Sequence, residues 1–125
     1  MKKSSFQLRR ALGLFMACMT LFSLSSLAMA KPKPMIVKGE VLDMSCYMAS
    51  GAHGASHMDC AEKCIKAGAP VGLLTSTGKV YLLVANQDKP EAYSKVKMKA
   101  GEQIQVTGTY ADRGGVQGLV VNSIN

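Results

Sequence analysis

The chain has 125 residues, 48% of them apolar and 18% charged, with a formal net charge of +7. That length holds one small domain with a thin core and leaves no room for a second. Four of its 15 basic residues, Lys2, Lys3, Arg9 and Arg10, lie in the first ten positions, so the headline charge belongs largely to the amino end and argues against a nucleic-acid-binding surface, which needs a clustered basic footprint.

Residues 1–30 read as a cleaved secretory signal. The basic start carries no acid, an apolar stretch runs from Ala11 to Leu27, and Ala28-Met29-Ala30 offers the small side chains a signal peptidase accepts. A retained membrane span wants about 20 strongly apolar residues. This stretch is shorter, dotted with Ser23, Ser25 and Ser26, and ends on a cleavage site. Lipid attachment at Cys18 fits poorly, because Phe15-Met16-Ala17 makes a weak lipobox and the residues after Cys18 are still apolar. The expected location is therefore periplasmic or secreted, with no stable membrane insertion after cleavage. The remaining 95 residues (125 less 30) keep 11 Lys and Arg against all 8 acids, a net charge of +3. Within them Lys95, Lys97 and Lys99 form the one basic run, whose alternation reads as a solvated strand or loop face.

Residues 31–35, with Lys31-Pro32-Lys33-Pro34, form an extended leader, and residues 36–125 form the domain. Ile36 to Asp43 alternates with period two, the mark of a half-buried strand. Met44 to Gly68 breaks that period and contains Cys46, Cys60 and Cys64, the three cysteines outside the signal. Ser50 to Ala55 is small and flexible. Ser56 can then cap a helix from His57 to Ala67, with Asp59 reaching back in a capping box and Gly68 and Pro70 as the stop. Val71–Thr75 and Lys79–Ala85 read as a hairpin around Ser76-Thr77-Gly78. Pro90–Lys95 reads as a short helix with proline in its first turn. Glu102–Tyr110 alternates, with Ile104, Val106 and Gly108 on one face. Arg113-Gly114-Gly115 turns the chain into a last strand, Val116–Ile124. Five strands with a helix between the third and fourth is the OB order. The expected fold is mainly β: a small five-stranded OB-like barrel with a short cysteine-bearing helix inserted after strand 1.

The chemistry-bearing residues are Cys46, His53, His57, Cys60 and Cys64. Offsets of three and four place His57, Cys60 and Cys64 on one stripe of a helix, and Cys46, at the end of the first strand, can swing towards it on a loop. Cys46, His57, Cys60 and Cys64 together make a Cys3His set, a recognised tetrahedral arrangement for zinc, and soft thiolates also suit monovalent copper. Met44, Met48 and Met58 lie near enough to add thioethers, although methionine is more often core filler. Asp43 and Asp59 are candidates to orient a histidine.

Three readings compete. In the first, the cluster binds a metal ion, zinc or copper. In the second, Cys46 forms a disulfide with Cys60 or Cys64, and the domain is a stapled module that binds a periplasmic protein. Helical cysteines four apart have Cβ atoms about 5–6 Å apart where a disulfide needs about 3.5–4.5 Å, so Cys60–Cys64 itself is a poor bridge. The third is thiol redox, disfavoured by a Cys-x3-Cys spacing. No catalytic residue emerges. There is no phosphate-binding glycine loop and no G-x-S-x-G, and a Cys60–His57 nucleophile pair lacks an oxyanion hole and an orienting group. The expectation is a non-enzymatic protein.

The order Gly39-Glu40-Val41-Leu42-Asp43, Cys46, His57, Cys60-Ala61, Cys64, Gly68 and Pro70-Val71-Gly72, followed by Val106-Thr107-Gly108, resembles a family of small secreted bacterial proteins of unassigned activity. The resemblance covers roughly residues 37–124. It implies that Cys46, His57, Cys60 and Cys64 act as a unit, leaves His53 outside it, and implies an OB-like second half.

Overall fold

The computed structural model describes residues 32–125, so the expected signal and Cys18 lie outside the described residues. The first strand, β1 (Pro34–Asp43), starts earlier than its hydrophobic alternation suggests. Pro34 and Met35, expected in an unpacked leader, pair with Thr109 and Gly108. A proline is tolerated there because the first residue of a strand need not donate to the ladder.

Four more strands follow: β2 (Val71–Leu74), β3 (Val80–Ala85), β4 (Gln103–Arg113) and β5 (Val116–Ile124). They close a barrel in the order β1-β2-β3-β5-β4, antiparallel throughout except for the parallel β3–β5 pair. That is an OB-like barrel, and closure removes the unpaired edges a five-stranded sheet would otherwise expose. β1 makes closure possible by serving two neighbours. Its first half, Pro34–Glu40, pairs with β4, and its second half, Glu40–Asp43, pairs with β2. Gly39 sits at the changeover, where any Cβ would run into the Leu74 backbone carbonyl. At the β4–β5 end, Gly114 and Gly115 turn the hairpin at φ 59° and 82°, a region that favours glycine.

Val41, Val71, Leu73, Val106, Leu119 and Val121 fill the barrel and are fully buried. The face of β4 carrying Ile104, Val106 and Gly108 is the buried one, as its alternation implies. A helix between β3 and β4, α3 (Pro90–Lys97), begins on its proline and buries Ala92 and Val96 in the same core. Lys95 and Lys97 belong to its last turn, which corrects their reading as a strand or loop face. Among the described residues no helix is long and apolar enough to cross a membrane.

The segment between β1 and β2 holds two helices where one was expected. α1 (Met44–Ser50) follows β1 directly: the Ser45 N–H donates to Asp43 Oδ1 at 2.9 Å, and Gly51, at φ 71°, ends the helix with its N–H on the Tyr47 carbonyl at 2.7 Å. Cys46 therefore stands on a capped helix rather than on a loop. A 3-10 turn (Ala55–His57) leads into α2 (Met58–Lys66). The Ser56–Asp59 capping box is not formed. Ser56 falls inside the 3-10 turn, and the helix continues out of that turn with His57 at its N-cap and no side-chain cap. Beyond α2, Gly68 takes φ 106° and the Ala69 N–H reaches the Cys64 carbonyl at 2.9 Å, so the stop at Gly68 stands.

Candidate metal centre

α2 buries Ala61 and Ile65, spaced four apart, against the barrel core. Cys60 and Cys64 each precede that face by one position, so they lie about 100° around the helix from it, on the flank turned towards α1, while His57 enters from the 3-10 turn at the N-cap of α2. Cys46, on the first half of α1, meets them there. Backbone bonds fix the frame: the Met44 N–H donates to the Pro70 carbonyl at 2.9 Å, and the Gly101 N–H donates to the Val41 carbonyl at 2.8 Å.

The donors fall into two overlapping triads. Cys46, His57 and Cys60 have ligand atoms all within 4.8 Å of one another, and so do Asp43, Cys46 and Cys64. Cys46 is common to both. The four residues singled out by spacing are thus brought together, and the three cysteines are free thiols. Cys60 is exposed, while Cys46 and Cys64 are half-buried.

Asp43 joins them at the closed side. Its residue is 1% exposed, at the last register position of β1 opposite Val71. Oδ1 is used in capping α1, but Oδ2 and His57 Nε2 are both buried without a hydrogen-bond partner, 4.0 Å apart. The thiols lie close enough to perturb the carboxylate, yet none is aligned on Oδ2. Burial works to raise the Asp43 pKa, but the Cys46 thiol, the Ser45 N–H, the Cys64 thiol and the Cys46 N–H together hold it below its ordinary value. The carboxylate in turn pushes the Cys46 thiol up to about 12, first by favouring its protonated S–H form, then through burial and repulsion by the carboxylate charge. Cys64 is raised as well, again by Asp43 first and burial second.

The remaining candidates are elsewhere. His53 Nδ1–H donates to the Gly51 carbonyl at 2.8 Å and its ring packs edge-on against Tyr47, 6.1 Å between centroids. Its loop is tied down by the Gly54 N–H donating to Glu40 Oε1 at 2.5 Å, with Glu40 itself buried. The Met44 sulfur packs on Gly72 and the Met58 stem on Gly101, while Met48 is exposed. Met44 and Met58 serve packing. Asp59 is exposed in the first turn of α2, so Asp43 is the acid that faces the histidine.

Two unpartnered buried polar atoms beside three thiols make a poor resting arrangement for protein alone. Leaving a buried donor or acceptor unsatisfied costs about 1–3 kcal/mol each, more when charged. A cation among these donors would satisfy them. Zinc bonds of about 2.3 Å to sulfur and 2.0–2.1 Å to nitrogen put tetrahedral neighbours about 3.3–3.8 Å apart. Within each triad the donors need to close in by roughly 1.5 Å at most from 4.8 Å to reach it.

No family model matches the chain, and neither a curated protein nor a solved structure matches it.

Proposed function

We propose that this chain is an exported metal-binding protein that holds zinc or monovalent copper on Cys46, His57, Cys60 and Cys64. The observation that carries the reading is the pair of buried, unpartnered atoms, Asp43 Oδ2 and His57 Nε2, set 4.0 Å apart among three free thiols. The donor chemistry supports a soft or borderline ion, since thiolate and imidazole outnumber carboxylate. Asp43 adds the one carboxylate of the cluster, a charge-balancing oxygen beside the thiols and the histidine. The exposed position of Cys60 leaves the centre open on one side, which favours an ion that can be exchanged over one sealed in for folding alone. Export rests on the reading of residues 1–30, and a periplasmic protein that gives or takes the ion is the matching partner.

The test is metal occupancy of the protein purified without chelator, compared with Cys46→Ser, which removes the donor common to both triads. The expected result is bound zinc or copper in the parent chain and at least tenfold weaker binding in the variant. Equal occupancy, or none in either, would remove the reading and return the domain to a disulfide-stapled binding module.

A further inference from the structure

Five donor side chains meet at the mouth of the barrel, one more than a tetrahedral ion takes, and they are not arranged as one shell. Cys46, His57 and Cys60 form a group that opens to solvent through Cys60. Asp43, Cys46 and Cys64 form a group against the barrel end, where Asp43 is almost fully buried. Cys46 alone belongs to both, and His57 Nε2, 4.0 Å from Asp43 Oδ2, stands at the seam between them.

The two groups differ in chemistry. The outer one is two sulfurs and an imidazole, donors that suit monovalent copper, which also accepts three-coordinate sites. The inner one includes a carboxylate, a hard oxygen donor that zinc accepts at about 2.0–2.2 Å and a soft monovalent ion does not favour. Its Oδ2 is buried without a hydrogen-bond partner and faces the thiols and His57 Nε2.

We infer that the centre has two mutually exclusive binding modes: monovalent copper on the outer group Cys46–His57–Cys60, and zinc on the inner group Asp43–Cys46–Cys64. The inference rests on the metal-binding reading above and adds the basis of its selectivity. Asp43 is the zinc-selecting residue, Cys60 is the copper-selecting residue, and Cys46 serves one ion at a time. One metal therefore displaces the other within the same pocket, and a protein built this way senses or exchanges the two rather than storing both.

The experiment measures dissociation constants for zinc and for monovalent copper by competition with chromophoric chelators, the copper titration under anaerobic reducing conditions. It compares the parent chain with Asp43→Asn, Cys64→Ser and Cys60→Ser. Asn retains an Oδ1 to cap the Ser45 N–H, so Asp43→Asn keeps α1, and Cys64→Ser carries the same arm of the test should the asparagine variant not fold. The zinc-to-copper ratio of dissociation constants is expected to rise at least tenfold in Asp43→Asn and Cys64→Ser and to fall at least tenfold in Cys60→Ser. Adding one equivalent of copper to the zinc-loaded chain is expected to release one zinc. Ratios that stay within threefold of the parent in all three variants would mean one common shell and overturn the inference. So would zinc and copper bound together on one chain. A parent chain that binds neither metal would instead remove the metal reading itself.

Discussion

Ile65→Ala tests whether the cysteine helix is held by the barrel, on which the geometry of the centre depends. Ile65 is 2% exposed and, with Ala61, is the whole buried face of α2. Truncating a buried isoleucine to alanine costs about 2–5 kcal/mol through lost transfer energy and the cavity left behind. A domain of 94 described residues has a total stability on the order of 5–14 kcal/mol, so a loss near 3 kcal/mol is a large share of it. At about 4–8 °C per kcal/mol for a domain of this size, Tm should fall by about 12–24 °C. Urea unfolding of metal-free protein should show the lower midpoint with the slope unchanged. Lys66→Ala on the same helix is the control. Its partner is Glu62, both side chains are largely exposed, and such an i,i+4 pair contributes about 0.3–0.5 kcal/mol. Zinc at a hundred times its dissociation constant should return about 2.7 kcal/mol to either variant, because the ion binds only the folded chain. A loss below about 0.5 kcal/mol in Ile65→Ala, no larger than in Lys66→Ala, would show that α2 is not anchored through this face.

Other outcomes follow from the same contacts. Zinc affinity should rise with pH: Cys46 and Cys64 are raised and so protonated near neutrality, and an ion that takes both must displace two protons, about a hundredfold per pH unit between pH 6 and 8. Competition titrations at three pH values read this directly, and a flat profile would show that those thiols are not ligands. In the metal-free chain the sign is opposite. A thiol raised from 9.0 to about 12 in the fold contributes stability that is fully present below pH 9 and is lost as pH climbs from 9 towards 12, which urea midpoints across that range will show. Gly39→Ala forces a Cβ onto the Leu74 carbonyl at the β1 changeover and should cost about 1–3 kcal/mol by thermal unfolding; a neutral result would mean that the strands are not held as closely as described. Glu40→Ala removes the acceptor of the Gly54 N–H and should speed hydrogen exchange at that amide by at least tenfold, while exchange at Val106 in the barrel stays slow.

Much of the barrel was legible because its strands obey simple patterns. Val116–Ile124 begins after a glycine pair, and Ile104, Val106 and Gly108 alternate with polar neighbours, so period and turn chemistry agree. The first helix of the insertion was not legible by periodicity, since Met44–Ser50 is only two turns long and buries none of its residues. Its signal is in the caps instead: Asp43 before it and Gly51 after it, an N-cap acid and a left-handed glycine with seven residues between them. The cysteine and histidine spacing pointed to the residues that the fold brings together. It did not reveal that they divide into two groups around Cys46, because that depends on where α1 turns the chain. Asp43 could be named as a neighbour but not as a buried donor. The alternation of β1 assigns one face to solvent, whereas Glu40 through Asp43 are buried on both faces by the helices of the insertion and the segment after α3.

The most direct measurement is of metal content by mass spectrometry together with free thiols under denaturing conditions, on protein purified from the periplasm without chelator. The account predicts about one zinc or copper ion per chain and three titratable thiols, as a thiolate–imidazole centre on Cys46, His57, Cys60 and Cys64 requires. No metal and a single free thiol would mean that Cys46 is bridged to Cys60 or Cys64, and would contradict it.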